Sequence, residues 1–329
     1  MVEYRFEKSR ILYWLDREAY DNEKQQWASD SKIGEHQEAI DLLKGTQQLG
    51  HFNEVVDAIK KKRIAPFVGA GLSAPCQKPL WGEALQKLRQ KIQDVNAAEF
   101  EGAMQRREFL KAAQILYDHS PEICNNFIRT EFAIRNIGGP VTLLPKISSG
   151  CIVTTNFDEA IEKVFQQNGE PLDGYMHGTQ QNKFVAKLIK GDRCILKLHG
   201  NVEDSKTYIF TQQQYDEAYG SSCDFGKPLP RALRQIFVSH SLLFLGCSLE
   251  QDRILELFHA VVQANDYDIP NHYALLSEPK LARDKREKEE RLLKLKIHPI
   301  WYPMNQHEFV EKILRLAEDM SKGLVSSID

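Results

Sequence analysis

The sequence predicts an α/β fold: a mostly parallel sheet with helices on both faces and a helical insert or subdomain. Three observations predict it. Short apolar runs recur along the chain, each too short for a helix. Segments with helical spacing of apolar residues lie between several of them. Four of the runs end in glycine or in a crowd of polar residues, as a buried strand does when it hands over to a loop.

Taken in order, residues 1–45 read as an N-terminal extension. Tyr4, Phe6, Ile11, Leu12, Trp14 and Leu15 form a partly helical stripe ahead of the polar stretch NEKQQWASDSKIGEHQ. Residues 46–325 read as the main domain. From Gln37 the spacing of Ile40, Leu42, Leu43, Val55, Val56 and Ile59 predicts helices, with a break marked by Gly50 and Asn53. The run 64–68 predicts the first strand. Leu85, Leu88 and Ile92 place a helix in 80–95, and a helical insert follows over about 97–140, carrying Phe109, Leu110, Ile115, Leu116 and Ile123. Further strands are expected at 151–154, 194–198, 242–245, 272–276 and 297–302. Helical patterns occupy 159–167, 229–239, 252–264, 280–295 and 306–320. In the charged run RDKREKEERLLKLK (283–296) acids and bases alternate, which reads as a solvated helix face. There is no internal repeat and no low-complexity tract.

The 329 residues suffice for one large domain with an appendage. Lys+Arg of 43 against Asp+Glu of 46 gives no global basic field, so direct nucleic-acid binding is not expected. The six cysteines stand singly, without a C-x-x-C pair or zinc-ligand spacing, and read as reduced thiols in a cytoplasmic protein that needs no metal. The charged start MVEYRFEKSR and the lack of any long uncharged apolar window argue against secretion and against a membrane span.

Four strand ends carry chemistry, because ligands of open α/β sheets bind beyond the carboxyl ends of the strands. The first is FVGAGLS (67–73), in which Gly69 and Gly71 bare the backbone and a following helix would aim its amides at an anion such as a pyrophosphate. A tight turn is the plainer reading of that spacing, since it matches neither G-x-G-x-x-G nor a Walker A loop. The second is VTTNFD (153–158), where Asp158 could cap the next helix and Asn156 could close a turn. The third, LKLHG (196–200), places His199 at a strand end before Gly200, where a lone histidine is usually a satisfied core or surface group. The fourth, FLGCSLEQD (244–252), offers Gly246 and Ser248 either to a ribose hydroxyl or to an ordinary strand-to-helix turn.

GAGLS with PLW (79–81), TTNFD (154–158), KLHG (197–200) and FLGCSLEQD, in this order over roughly residues 50–320, resemble the SIR2 superfamily, and within it the SIR2-like domains of prokaryotic antiphage defence systems. The resemblance implies a Rossmann-like domain that takes NAD as its substrate. Carried over position by position, Gly69, Ala70, Gly71 and Ser73 would line the pyrophosphate end, with Thr155 beside them. Asn156 and Asp158 would face the nicotinamide ribose and carboxamide. His199 would sit by the ribose hydroxyls, and Gly246 and Ser248 by the adenosine ribose.

The four-cysteine zinc module of protein-deacylating sirtuins is missing, and little between Gly200 and Leu242 looks like the strand that pairs with an acyl-lysine peptide. Both departures point to NAD hydrolysis, with Asn156, His199 and Asp158 as catalytic residues. Deacylation, ADP-ribosyl transfer and a non-catalytic NAD- or ADP-ribose-binding subunit are the alternatives. His177, in GYMHGTQ, is a rival histidine read as lying in a loop. A constitutive NAD-destroying activity would be lethal. The resemblance therefore also implies a homo-oligomer and a separately encoded sensor or activator, such as a HerA-like motor ATPase or an Argonaute-like protein. Within the extension 1–45, the stripe Tyr4 to Leu15 is the candidate contact surface, with packing back on the main domain as the equal alternative.

Overall fold

The computed structural model describes residues 7–180, 184–220, 223–250, 253–325 and 328. Tyr4, Phe6, Gln251 and Asp252 of the sequence reading lie outside the described residues.

Among the described residues, seven strands form one sheet: β1 (Ile64–Val68), β2 (Ile152–Thr154), β3 (Gly174–His177), β4 (Cys194–Lys197), β5 (Ser241–Leu245), β6 (His272–Ser277) and β7 (Ile297–Tyr302). Their order is β3-β4-β2-β1-β5-β6-β7 and every pairing is parallel. Alternation within each run splits the core. Ile64 and Val68 of β1 face the layer built by the helices Gln37–Gly45, Leu49–Lys60, Ala160–Gln167 and Glu308–Ser321. Ala65 and Phe67 face the opposite layer, built by the helices Pro228–Ser239, Arg253–Ala264 and the C-terminal end of Ala282–Leu293. Both faces are buried, which is why these strands read as unbroken apolar runs. Ala39, Ile40 and Leu43 belong to the first layer, so the core begins upstream of residue 46.

The helices Lys8–Leu15 and Arg17–Glu35 precede that layer. The first of them buries no residue, and Trp14, Leu15 and Trp27 are exposed. The helices Trp81–Arg89, Ala97–Gln105, Phe109–His119 and Pro121–Glu131 enclose a third apolar cluster, joined by Phe157, Val202, Tyr208 and Phe210 from the sheet's carboxyl edge.

One strand differs from the sequence reading. Residues 174–177 form β3, an edge strand paired to β4, and His177 ends it opposite Lys197. His177 is therefore not a loop histidine. Four residues with alternating burial, one of them glycine, give too little apolar signal to be seen as a strand.

Candidate active site

The four motif loops leave β4, β2, β1 and β5, which are consecutive in the sheet. The loops are therefore neighbours, and the chain reverses its direction of travel across the sheet between β1 and β5, where such folds hold ligands. Backbone bonds knit them together: Gly69 N–H to Leu245 O at 2.9 Å, Thr155 N–H to Val68 O at 3.1 Å, and Leu198 N–H to Thr154 O at 2.8 Å.

The glycines serve each other. Gly71 N–H donates to Gly246 O at 2.9 Å. Gly246 has a φ of +66°, and a Cβ there would lie 2.2 Å from Leu72 N; one on Gly69 would lie 2.6 Å from Gly246 O. The turns after β1 and β5 thus interlock, backbone on backbone. The helix after Gly69 is one turn, Ala70–Ser73, continued by a 3-10 turn, Ala74–Cys76. Ser248 is exposed on the β5 loop. Lys288 Nζ donates to Ser248 O, and Arg291 Nη2 donates to Leu249 O at 2.8 Å, so the charged helix Ala282–Leu293 anchors this loop as well as facing solvent.

Asn156 is buried at the end of β2. Its Nδ2 donates to Gly69 O at 3.1 Å and to Ser73 Oγ at 2.9 Å. A carbonyl can only accept, so Gly69 O fixes which way the amide faces and leaves Asn156 Oδ1 as its outward acceptor. Asp158 accepts from Ala160 N–H at 3.0 Å, where the helix Ala160–Gln167 begins, and from the Ser73 hydroxyl. Burial raises its carboxyl above the ordinary carboxylate range, against the pull of Lys197, the Ala160 amide and Ser73. Ser73 thus bridges Asp158 and Asn156.

His199 follows β4, half-buried, its ring 6.0 Å from that of Phe157. Burial pushes its pKa down to about 4, opposed by a hydrogen bond to the Thr155 backbone, so the imidazole is neutral near pH 7. Nε2 is met by the Tyr215 hydroxyl, which is far more acidic than the N–H of a neutral imidazole and so is the donor. Hence Nδ1 carries the proton and Nε2 is the basic nitrogen. His177 stands one strand further out, also lowered to about 4 by burial, with Lys197 adding to the effect.

Lys197, fully buried, ties these loops together. Its Nζ donates to Asp158 O and to Glu162 Oε1 at 2.9 Å, and reaches Asn201 Oδ1 at 3.4 Å. Above the loops, Phe157 packs against Trp81, Phe132 and Tyr208, with ring centroids 6.2, 5.6 and 5.3 Å away.

An open groove of about 600 Å³ lies between the helices Phe109–His119 and Gln212–Tyr219, lined by Gln114, Asp118, Gln212, Gln213, Asp216 and Glu217. It includes none of the motif residues. Tyr215 and the tying role of Lys197 escaped the sequence reading: the tyrosine sits in the polar stretch TQQQYDEAYG, where only the tertiary fold brings it to a histidine sixteen residues away. The nearest signal for Lys197 was a charged residue inside an otherwise apolar strand.

Residues 150–300 match the family model described as SIR2-like domain. The chain is 25% identical over 234 residues to the NAD(+) hydrolase ThsA of Bacillus cereus (strain MSX-D12), covering 70% of this chain and 46% of that protein. It is 26% identical over 207 residues to the NAD(+) hydrolase ThsA of Acinetobacter baumannii (strain 532279), covering 61% and 40%. To the defense-associated sirtuin 2 of Bacillus subtilis it is 20% identical over 224 residues, covering 66% and 21%. The chain thus spans less than half the length of each of these relatives.

Proposed function

From the premise that this chain carries a SIR2-like domain, we propose that the four loops bind NAD and that the protein hydrolyses it to nicotinamide and ADP-ribose. The observation that carries this reading is the pairing of Asn156, with an acceptor oxygen left over, and neutral His199 on the loops of the adjacent strands β2 and β4. Gly69, Ala70, Gly71 and Ser73 take the pyrophosphate end, with Thr155 beside them, and Gly246 and Ser248 the adenosine ribose.

Cleavage of the nicotinamide glycosidic bond passes through an oxocarbenium-like sugar, with the bonding electrons leaving on nicotinamide. Water then adds to the sugar carbon. Asn156 Oδ1 orients that water or the ribose. His199 Nε2 accepts the proton that the water gives up and later releases it to solvent. Asp158 acts through Ser73, holding the Asn156 amide in place.

The segment 200–240 supports hydrolysis over deacylation. Its described residues form the turn Ser205–Thr207 and the helices Gln212–Tyr219 and Pro228–Ser239, with no strand among them to pair with a peptide. The names of the relatives support a role in antiviral defence, in which activation depletes NAD. Residues 37–325 act as the NAD-binding unit, since the helix Gln37–Gly45 belongs to its core. The exposed Trp14, Leu15 and Trp27 form the contact surface for oligomer formation or for a separately encoded activator.

The test is incubation of the purified protein with NAD and chromatographic identification of the products, beside Asn156→Ala. Nicotinamide and ADP-ribose from the wild type and not from the variant support the reading. Equal release from both removes the site. Product appearing only with an acyl-lysine peptide makes the protein a deacylase.

A further inference from the structure

The basic nitrogen of His199 is already engaged. The Tyr215 hydroxyl, far more acidic than the N–H of a neutral imidazole, donates to the ring at Nε2. We infer that Tyr215 is a gating residue of this site: its O–H occupies the nitrogen that must take the proton, and His199 works only when that hydroxyl turns away. The inference rests on the NAD-hydrolase reading of the same site.

Two features separate this contact from simple packing. The Tyr215 ring has its own packing partner, stacking on buried Tyr219 at 5.3 Å with planes 16° apart, so the hydroxyl is not needed to seat the ring. The helix Gln212–Tyr219 that carries it is also fastened to elements that border the site. Gln213 N–H donates to Gln114 Oε1 at 3.0 Å on the helix Phe109–His119, and Asp216 ion-pairs with Arg253 at the start of the helix that follows β5. Movement of either neighbour is therefore transmitted to the hydroxyl. Once it is displaced, water gives its proton to Nε2, and the phenol keeps its own.

The experiment compares the full chain with Tyr215→Phe, with Tyr215→Leu as a second hydroxyl-free variant should the first fail to fold. Two readouts are taken: the rate at which diethyl pyrocarbonate modifies His199, followed by mass spectrometry, and nicotinamide release from NAD. Loss of one hydrogen bond at Nε2 should speed modification of His199 by roughly threefold to tenfold, raise basal nicotinamide release by a similar factor, and leave NAD affinity unchanged. Adding His199→Ala should abolish the gain in release. Unchanged modification of His199 overturns the gate whatever the rate of release. Faster modification with release below the wild type also overturns it, because the hydroxyl would then serve the reaction. Faster modification with no nicotinamide from any variant leaves the gate in place and overturns the hydrolase reading alone.

Discussion

The side-chain amide of Asn156 is held by Ser73, whose hydroxyl lies 2.9 Å from Asn156 Nδ2 and donates in turn to Asp158. A residue in the turn after β1 thereby sets the orientation of one after β2. Without that hydroxyl, Gly69 O alone would hold the amide, and the ring of contacts to Asp158 would open.

Ser73→Ala should consequently lower NAD turnover by about tenfold to a hundredfold, the usual cost of a misplaced group, with KM little changed. Asp158→Asn should follow in the same direction, since it acts through Ser73. Steady-state kinetics on the three variants Ser73→Ala, Asp158→Asn and Ser73→Thr check this. Ser73→Thr keeps the hydroxyl and should retain most of the rate.

His199→Ala should reduce turnover by about a hundredfold to ten-thousandfold while NAD still binds. With its pKa held down to about 4 by burial, the neutral ring persists far below the ordinary imidazole value. The pH-rate profile should therefore be flat from pH 8 to 6 and fall only as pH approaches about 4. Stability moves the same way for a different reason. An unfolded histidine takes up a proton near pH 6.5 and the native one does not, so protonation favours the unfolded chain as pH drops below about 6.5, and His177, also held near 4, adds to this. Thermal melts from pH 7 to 5 should show a falling midpoint.

Lys197→Met removes the cation that the Glu162 carboxylate and the Asp158 carbonyl share. Glu162 is left largely buried and unpaired, so the variant should lose about 3 kcal/mol of stability, measured by urea denaturation. The double variant Lys197→Met with Glu162→Gln should recover part of that loss, since no lone charge then remains.

Gly246→Ala should fail more severely than a surface substitution. Its φ of +66° strains any side chain, and the new methyl would strike Leu72 N. A cost on the order of 3 kcal/mol or more is expected, read as a lower urea midpoint or loss of soluble protein. Gly34→Ala, in a helix with open space around it, is the control and should keep the parental midpoint or raise it slightly.

The sheet was legible where its strands are buried on both faces. The runs 64–68 and 297–302 coincide with β1 and β7 because an unbroken apolar stretch has no other home. Exposed at the edge of the sheet, with Tyr175 turned to solvent, β3 was not legible. The motif residues could be named from the sequence because each lies at a strand end. Their couplings could not: the Ser73 bridge and the Tyr215 contact join residues 83 and 16 positions apart, which nothing in local spacing encodes. The interlock of Gly69, Gly71 and Gly246 was hidden in the same way, since a glycine required by another backbone looks in sequence like one required by a ligand.

Phe157 sits between Asn156 and Asp158, yet its ring is part of the hydrophobic cluster of the overlying helices. The reacting end of the molecule and its covering layer therefore share one anchor. A force applied to the outer helices, whether by an incoming dinucleotide or by a protein docked on them, pulls on the peptide units flanking that ring. Access to the crevice and the placement of the two residues flanking that ring are in consequence mechanically coupled.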